Sequence, residues 1–225
     1  MMQTNFKQFQ GHFNTKYQQI INDHRNRNKD DKKEKIVVFC SGCYCPPHEG
    51  HYYMMEEAIK YLAQQNYDVV IGIYSVASDA YMQGKIKDIK MNFDERTLQL
   101  KKLIKQHKKT IEQEIIVDDF ENGKPFIDYP DLCFMYKQEF ANQKIKFAYC
   151  AGSDLLKYGL DHQFPDFADL LIIQQRDSKK VEECIRKQKN IIVLEHEQTK
   201  SLNSSEIRQK IKQANSNQVN ELQKK

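Results

Sequence analysis

Six short apolar runs alternate with helical segments along this chain, and that alternation limits the fold more than any other feature. The runs are KIVVFC, YDVVIGIY, EIIVDD, KIKFAYC, DLLIIQQ and NIIVLEH. Apolar residues at helical spacing follow the first run from about Gly50 to Gln64 and the second from about Phe93 to His107. Strands that are apolar throughout and separated by helices predict a parallel sheet covered on both faces. We therefore predict an α/β fold with a doubly wound, Rossmann-like parallel sheet.

The first 34 residues differ from this alternating core. They are rich in Asn and Gln, and a stripe of larger side chains recurs there at helical spacing, namely Phe6, Phe9, Phe13, Tyr17 and Ile20. We predict an amphipathic helix and charged linker over residues 1–34, a single domain over 35–215 and a polar tail over 216–225. Three interpretations of the stripe stay open: packing on its own domain, which is preferred, docking to a partner, or an atypical targeting segment.

The charge balance and the apolar content exclude some function classes. Lys and Arg number 35 against 31 Asp and Glu, a formal net charge of +4, which argues against a nucleic-acid partner. No run approaches the roughly 20 apolar residues that a bilayer span needs, and the N-terminus lacks a secretory signal. We expect an intracellular chain, in the cytoplasm or nucleus with mitochondria as the alternative, and its six cysteines as thiols.

The segment SGCYCPPHEGHYYMMEEA directly follows the first predicted strand. Doubly wound sheets bind ligands beyond the carboxyl ends of their strands, so this loop is a candidate site. Gly42 permits close approach of a ligand to the backbone, and the helix that begins near Gly50 directs free N–H groups toward the loop. His48 and His51, three residues apart, could donate hydrogen bonds to one phosphate. We interpret the loop as an anion site.

The same loop permits a competing metal interpretation. Its cysteines and histidines could ligate zinc or an iron–sulfur cluster, the candidates being Cys40, Cys43, Cys45, His48 and His51. Two observations count against it. Cys40, the last strand residue, should point into the sheet, and the chain has no second Cys/His cluster at zinc spacing. We predict no metal ligated by the protein itself.

Three motifs together resemble a known family. GCYCPPHEGH, residues 42–51, resembles the G-[ST]-F-[ND]-P-x-H-x-G-H signature of the HxGH nucleotidyltransferases, and in particular of the nicotinamide mononucleotide adenylyltransferases. AGSDLL, residues 151–156, resembles the Gly-Ala-Asp-Leu-Leu segment of that family, and LNSSEIR, residues 202–208, resembles its terminal I-S-S-T-x-x-R motif. The motifs occur in the family's order, and the resemblance covers residues 35 to 215.

The resemblance implies transfer of AMP from ATP to nicotinamide mononucleotide or its acid form, which makes NAD and releases pyrophosphate with Mg²⁺ bound through ATP. The implied catalytic residues are His48, His51 and Arg208. The implied nucleotide contacts are Gly42, Cys43, Tyr44, Gly152, Asp154, Arg176, Ser204 and Ser205. The implied contacts of the mononucleotide are Asp79, Tyr81, Lys85, Arg96 and Phe120. Acidic residues beside Phe120, namely Asp118, Asp119 and Glu121, favour the amide over the acid form.

The chain departs from the family's pattern at several positions. Cys43 and Cys45 replace a hydroxyl residue and an Asn or Asp, and Met82 stands where the family has a lysine that Lys85 would replace. Trp is absent, so Phe120 and either Phe164 or Phe167 would take the place of stacking tryptophans. Two alternatives therefore stay open: a nucleotidyltransferase with another phosphate-bearing acceptor, and a catalytically degenerate subunit of a larger assembly. Self-association is a further expectation.

Overall fold

The computed structural model describes residues 2–28, 32–85, 91–107, 111–175, 181–195, 207–209 and 213, with the side chains of 2–6 and 85 left out. In chain order the elements are α1 (Met2–Arg27), β1 (Lys35–Gly42), α2 (Glu49–Gln64), β2 (Asp68–Val76), α3 (Asp79–Lys85), α4 (Phe93–His107), β3 (Ile115–Asp118), α5 (Tyr129–Asn142), β4 (Lys146–Gly152), a 3-10 helix (Ser153–Tyr158), α6 (Leu160–Phe167), β5 (Leu170–Gln175), α7 (Glu183–Arg186) and β6 (Ile191–Glu195). Residues 207–209 are also helical.

The six strands form one parallel sheet in the order β3-β2-β1-β4-β5-β6. Each predicted apolar run supplies one strand, so the prediction of a doubly wound, Rossmann-like sheet is confirmed. Strand order reverses between β1 and β4, whose register pairs Phe39 with Tyr149. Helix α4 has the predicted bounds, and α2 begins one residue before the predicted start. The carboxyl ends of β1 and β4 thus flank the position where such sheets bind ligands.

Alternate residues of each strand face two separate hydrophobic clusters, as the period of two along a strand requires. Val37 and Phe39 of β1 face the cluster covered by α1, α5 and α6. Val38 and Cys40 face the other cluster, to which α2 and α4 contribute. Both faces are therefore closed, which explains why the strands are apolar throughout instead of alternating with polar residues. Among the described residues, no helix combines the length and the apolar character that spanning a bilayer requires.

Helix α1 buries three aromatic residues of its stripe within the chain itself. Phe9, Phe13 and Tyr17 are fully buried. The Phe9 ring lies 4.6 Å from that of Tyr136, and the Phe13 ring 4.9 Å from that of Phe140, both in edge-to-face geometry. The structure thus matches the preferred interpretation, in which the helix packs on its own domain.

Polar contacts fix the position of α1 along the sheet. The Tyr17 hydroxyl donates to Asp118, and His12 Nε2 lies 2.9 Å from an oxygen of the same carboxylate. Near the other end, His24 Nε2 lies 3.0 Å from Asp68 at the start of β2. Burial alone would raise the pKa of Asp118, but these hydrogen bonds and the charge of Lys16 outweigh it and hold that pKa below its ordinary value. Helix α1 is therefore hydrogen-bonded to the carboxyl end of β3 and to the amino end of β2.

Candidate active site at the switch in strand order

The first and second motifs lie at neighbouring strand ends. Extending the pairing of Phe39 with Tyr149 by three residues places Gly42, the end of β1, opposite Gly152, the end of β4. The loop after Gly42 leads into α2, and the segment after Gly152 leads into the 3-10 helix that carries the exposed Asp154. Both predicted nucleotide segments therefore share the carboxyl edge at the switch in strand order.

Two histidine rings lie close together, tilted by 31° to each other, at the beginning of α2. His48 is the N-cap and His51 lies in the first turn, with ring centroids 3.7 Å apart and both residues buried. The backbone N–H of His48 donates to His51 Nδ1 over 3.1 Å. Because Nδ1 accepts this bond, a neutral His51 carries its proton on Nε2. That tautomer makes Nε2 a hydrogen-bond donor, which is the role an anion site needs.

Tyr44 supports this pair from the side of the loop. Its ring lies edge-on to His51 at 5.0 Å, and its hydroxyl donates to the Cys40 carbonyl over 3.1 Å. A Cβ at Gly42 would meet the Tyr44 ring at 3.2 Å, so the glycine makes room for that ring. Gly42 therefore has a reason in packing, beside the close approach of a ligand that the sequence predicted.

Two arginines from distant parts of the chain hold the loop by its backbone. Arg96 of α4 is fully buried and donates to the Cys43 carbonyl over 2.8 Å. Arg208 donates to the Cys45 carbonyl over 2.7 Å, across a separation of 163 residues. The terminal motif thus contacts the loop that carries His48 and His51. The structure brings together all three residues to which the sequence assigned catalysis.

Asp79 connects the loop after β2 to the same network. One carboxylate oxygen accepts from Arg96 over 2.7 Å, and the other accepts from the backbone N–H of Phe93 over 3.0 Å, at the first residue of α4. The carboxylate therefore orients Arg96 and caps a helix. Whether it also contacts substrate stays a prediction. Met82, which stands where the family has a lysine, is buried.

Phe120 belongs to the hydrophobic cluster covered by α1, whereas α2, at whose start the histidine pair lies, covers the other cluster. The Phe120 ring is buried against Phe9 at 5.0 Å and His12 at 5.3 Å, in the cluster covered by α1. Its role in stacking on the substrate base stays a prediction, and α1 already covers part of the ring. Phe164 and Phe167, the other proposed replacements for tryptophan, are buried as well.

Sequence reasoning missed Phe126, an aromatic residue at the surface. It is 49% exposed, and its ring stacks on that of Tyr81 with 4.7 Å between centroids and 14° between planes. Tyr81 lies in α3, two residues after Asp79, so the pair belongs to the segments that follow β2 and β3. The available signal was an aromatic side chain directly after Pro125, between β3 and α5. The sequence predicted Phe120 instead, because Phe120 occupies the position of a tryptophan in the pattern of the family that the chain resembles.

Glu121 is a second residue of this edge whose role the sequence did not show. It is buried and accepts from Ser75 Oγ over 3.2 Å and from the backbone N–H of Ser78 over 3.4 Å, at the end of β2. Burial is the largest influence and raises the pKa of this carboxyl to about 7. Its negative charge is therefore only partly present at neutral pH, which weakens the expected repulsion of an acid substrate.

Two of the three cysteines in and beside the loop, Cys40 and Cys45, are buried thiols, and Cys43 is partly exposed. Cys40 is fully buried on the α2 side of the sheet, as its place at the strand end predicted. Burial raises the pKa of the Cys45 thiol, against the opposing effect of Arg96 and Arg208. Within the described part of the chain, the group of three potential ligand atoms that lie close together is His12, Asp118 and Asp119, and the loop contributes none of them. The geometry therefore does not support the metal interpretation of the loop.

Four predicted positions cannot be placed in this site. Arg176, Ser204 and Ser205 lie outside the described residues, and so does the side chain of Lys85. Their roles stay predictions.

Comparison with known proteins identifies the family. The model of the cytidylyltransferase-like family matches residues 39–210, which is most of the chain. The chain belongs to the cytidylyltransferase-like family. This match confirms the resemblance to the HxGH nucleotidyltransferases and assigns the chain to a nucleotidyltransferase family.

Two similar solved structures support the fold of this family member. Both are Plasmodium falciparum nicotinic acid mononucleotide adenylyltransferase, one complexed with APC and one with NaAD. The TM-scores are 0.58 and 0.59, each at 18% identity over 77% of this chain and 82% of the other. At this identity the likeness establishes the fold alone. A search of curated protein sequences finds no match.

Proposed function

We propose that this protein transfers AMP from ATP to nicotinamide mononucleotide or its acid form and releases pyrophosphate. The observation that carries the proposal is the contact of Arg208 with the Cys45 carbonyl, in the loop that leads into the paired His48 and His51. A helix N-terminus, two imidazoles and a guanidinium around one loop form a site for a chain of phosphates. The similar structures, which are mononucleotide adenylyltransferases, favour this reaction among those of the family.

In the proposed reaction a 5′-phosphate oxygen of the mononucleotide attacks the α-phosphorus of ATP in line. The bond from that phosphorus to the bridging oxygen breaks, and pyrophosphate leaves with the electron pair. Both reactants are anions, so the protein must align them and reduce their repulsion, without a covalent intermediate. His51 donates from Nε2 to the charge that develops on the α-phosphate, His48 assists from the N-cap, and Arg208 neutralises the leaving phosphates.

The donors around the loop suit phosphate oxygens better than a magnesium ion. Mg²⁺ prefers carboxylate, carbonyl and water oxygens, whereas imidazole N–H groups and guanidinium groups repel it or offer it no ligand. The carboxylate of Asp79, which is part of this network, already accepts hydrogen bonds from Arg96 and from the backbone N–H of Phe93 at the start of α4. We therefore treat Mg²⁺ as part of the MgATP substrate, in which it supplies charge neutralisation along the phosphate chain.

The acidic residues near Phe120 do not favour the amide form of the mononucleotide over its acid form. Asp118 is bonded to His12 and Tyr17, Asp119 forms an ion pair with Lys16, and Glu121 has a raised pKa. Because these carboxylates are compensated or partly neutral, they exert little net repulsion on an acid substrate. Both forms of the mononucleotide are therefore proposed acceptors.

Pyrophosphate release with ATP and Mg²⁺ tests the proposal, with the amide and acid mononucleotides as parallel acceptors. We expect dinucleotide formation with at least one, and a decrease in turnover of about a hundredfold or more in His51→Ala. His162→Ala, at a side chain that is 79% exposed, is the matched control and should turn over normally. Equal turnover in His51→Ala and His162→Ala would mean that His51 and its loop take no part in catalysis. Absence of turnover with either acceptor would favour another acceptor or a non-catalytic subunit.

A further inference from the structure

A cavity of about 610 Å³ lies at the amino-terminal edge of the sheet, opposite the edge that carries the histidine pair. Its lining comes from the end of α1, the start of β1 and the turn that leads into β4. The cationic side chains among its lining residues are Arg25, Lys33, Lys35, Lys144 and Lys146. Nothing in the adenylyl transfer proposed above uses this edge.

The cavity concentrates the positive charge of the protein. Among the described residues that line it, five cations and one carboxylate, that of Glu34, give a local net charge of four, which equals the formal net charge of +4 of the whole chain. The acids and bases of the remaining sequence are therefore balanced. A concave site lined by one sign of charge attracts counter-ions more strongly than the same charges spread over a surface.

Neighbouring residues hold Arg25 and Lys146 in place. Arg25 donates to the backbone carbonyl of Gln143 over 2.8 Å. Lys146 donates to Glu34 over 2.8 Å. This hydrogen bond raises the pKa of the Lys146 ammonium, so the side chain is protonated at neutral pH. Lys33 and Lys144 have no acidic partner within 4.0 Å in the described part of the chain, so their charges are not compensated there. Oriented and uncompensated cations thus line the same cavity.

We propose that this cavity binds a small organic molecule that carries two or more phosphate groups. A volume of 610 Å³ falls within the range of roughly 300–1,000 Å³ typical of small-molecule sites. Arg presents a planar fork and Lys a point charge, and both bind phosphate. Glu34 and the side chain of Gln143 add acceptors for hydroxyl groups. This proposal is independent of the reaction at the opposite edge.

The test uses calorimetric titration of the full chain with myo-inositol hexakisphosphate at physiological salt, because this probe has many phosphates and no base. We expect saturable binding that weakens at least about tenfold in the double variant Lys33→Gln/Lys144→Asn. Asn is chosen because Lys144 has a φ of +57°, which Asn adopts readily. The matched control, Lys102→Gln/Lys105→Gln, removes two exposed lysines from α4 and should bind as the unaltered protein does.

Separate arms locate the probe and test other polyanions. Arg208→Ala should retain the affinity, since Arg208 contacts the loop at the opposite edge. Equal weakening in both lysine variants, loss in Arg208→Ala, or no binding below about 1 mM would each overturn the proposal. It would also be overturned if a single-stranded oligonucleotide or an anionic lipid vesicle bound with the expected lysine dependence while the hexakisphosphate did not.

Discussion

The N-terminal helix α1 and the loop after β1 are held in the protein by different means. Helix α1 is held mainly by apolar burial, with Phe9, Phe13 and Tyr17 inserted into the core. The loop after β1 is held by charged hydrogen bonds from Arg96 and Arg208 to its own carbonyls. The hydrophobic effect is non-directional, whereas charged hydrogen bonds fix the geometry of the atoms they join. Helix α1 therefore stabilises the fold, whereas the loop after β1 has the geometry that the proposed reaction requires.

The largest effect is expected from removing an aromatic ring of α1. Phe13→Ala should lower the free energy of unfolding by roughly 3–5 kcal/mol, because the lost ring leaves a cavity between α1 and Phe140. Turnover measured where the variant remains folded should stay near normal, since Phe13 lies in the cluster away from the loop. Urea denaturation and the pyrophosphate assay give the two values.

Phe134→Ala is the control for that change, since Phe134 is 42% exposed on α5. It should alter the free energy of unfolding by less than about 0.5 kcal/mol. A Phe13→Ala variant as stable as this control would mean that α1 does not pack on the sheet in solution. The stripe would then be available to a partner, as one interpretation of the sequence proposed.

The strands and the helices α1, α2 and α4 follow from local sequence, but the partners of α1 do not. The six apolar runs and the bounds Phe93–His107 are set by residues within each segment, so periodicity was sufficient. Phe13 packs against Phe140, which lies 127 residues later in the sequence. The spacing of apolar residues along a helix does not indicate which residues will cover them. The same limit applies to Phe120, whose burial depends on α1.

Breaking the network that holds the loop should affect both stability and turnover. Arg96→Met removes the donors to Cys43 and Asp79 while keeping an unbranched side chain, so we expect a loss of about 3 kcal/mol in the free energy of unfolding. Turnover should also decrease at least about tenfold, because the loop loses its alignment. Asp79→Asn, which keeps an acceptor for Arg96, should have the smaller effect on both. Stability lost without any loss of turnover would show that the loop does not need this bond for catalysis.

The sequence predicted a site at the loop after β1 but not the hydrogen bonds that hold this loop. The stretch from Gly42 to His51 is recognisable because local spacing places both histidines at the start of α2. The contacts of Arg96 and Arg208 are made to backbone carbonyls, and any residue type in the loop presents a carbonyl. Likewise, the raised pKa of Glu121 arises from burial, which its polar neighbours in the sequence do not indicate.

The next effect concerns Glu121 and depends on pH. Its folded-state pKa of about 7 lies above the ordinary value of 4.5, so the folded protein binds the proton more tightly than the unfolded chain does. The resulting stabilisation is complete below about pH 4.5 and is lost as the pH rises through 7. Glu121→Gln should therefore gain about 2 kcal/mol of stability relative to the unaltered protein between pH 5 and pH 8. Urea midpoints at both pH values measure this gain, and parallel curves for the two proteins would contradict it.

The smallest effect is expected at the polar contact near the end of α1. His24→Gln keeps a donor for Asp68, so we expect a loss of only about 1 kcal/mol in the free energy of unfolding. If α1 is secured by its aromatic residues, this change should be several times weaker than Phe13→Ala, and turnover should not change. Urea denaturation of both variants in one buffer gives the ratio. A loss comparable to that of Phe13→Ala would mean that α1 too depends on directed bonds, and the contrast with the loop would then fail.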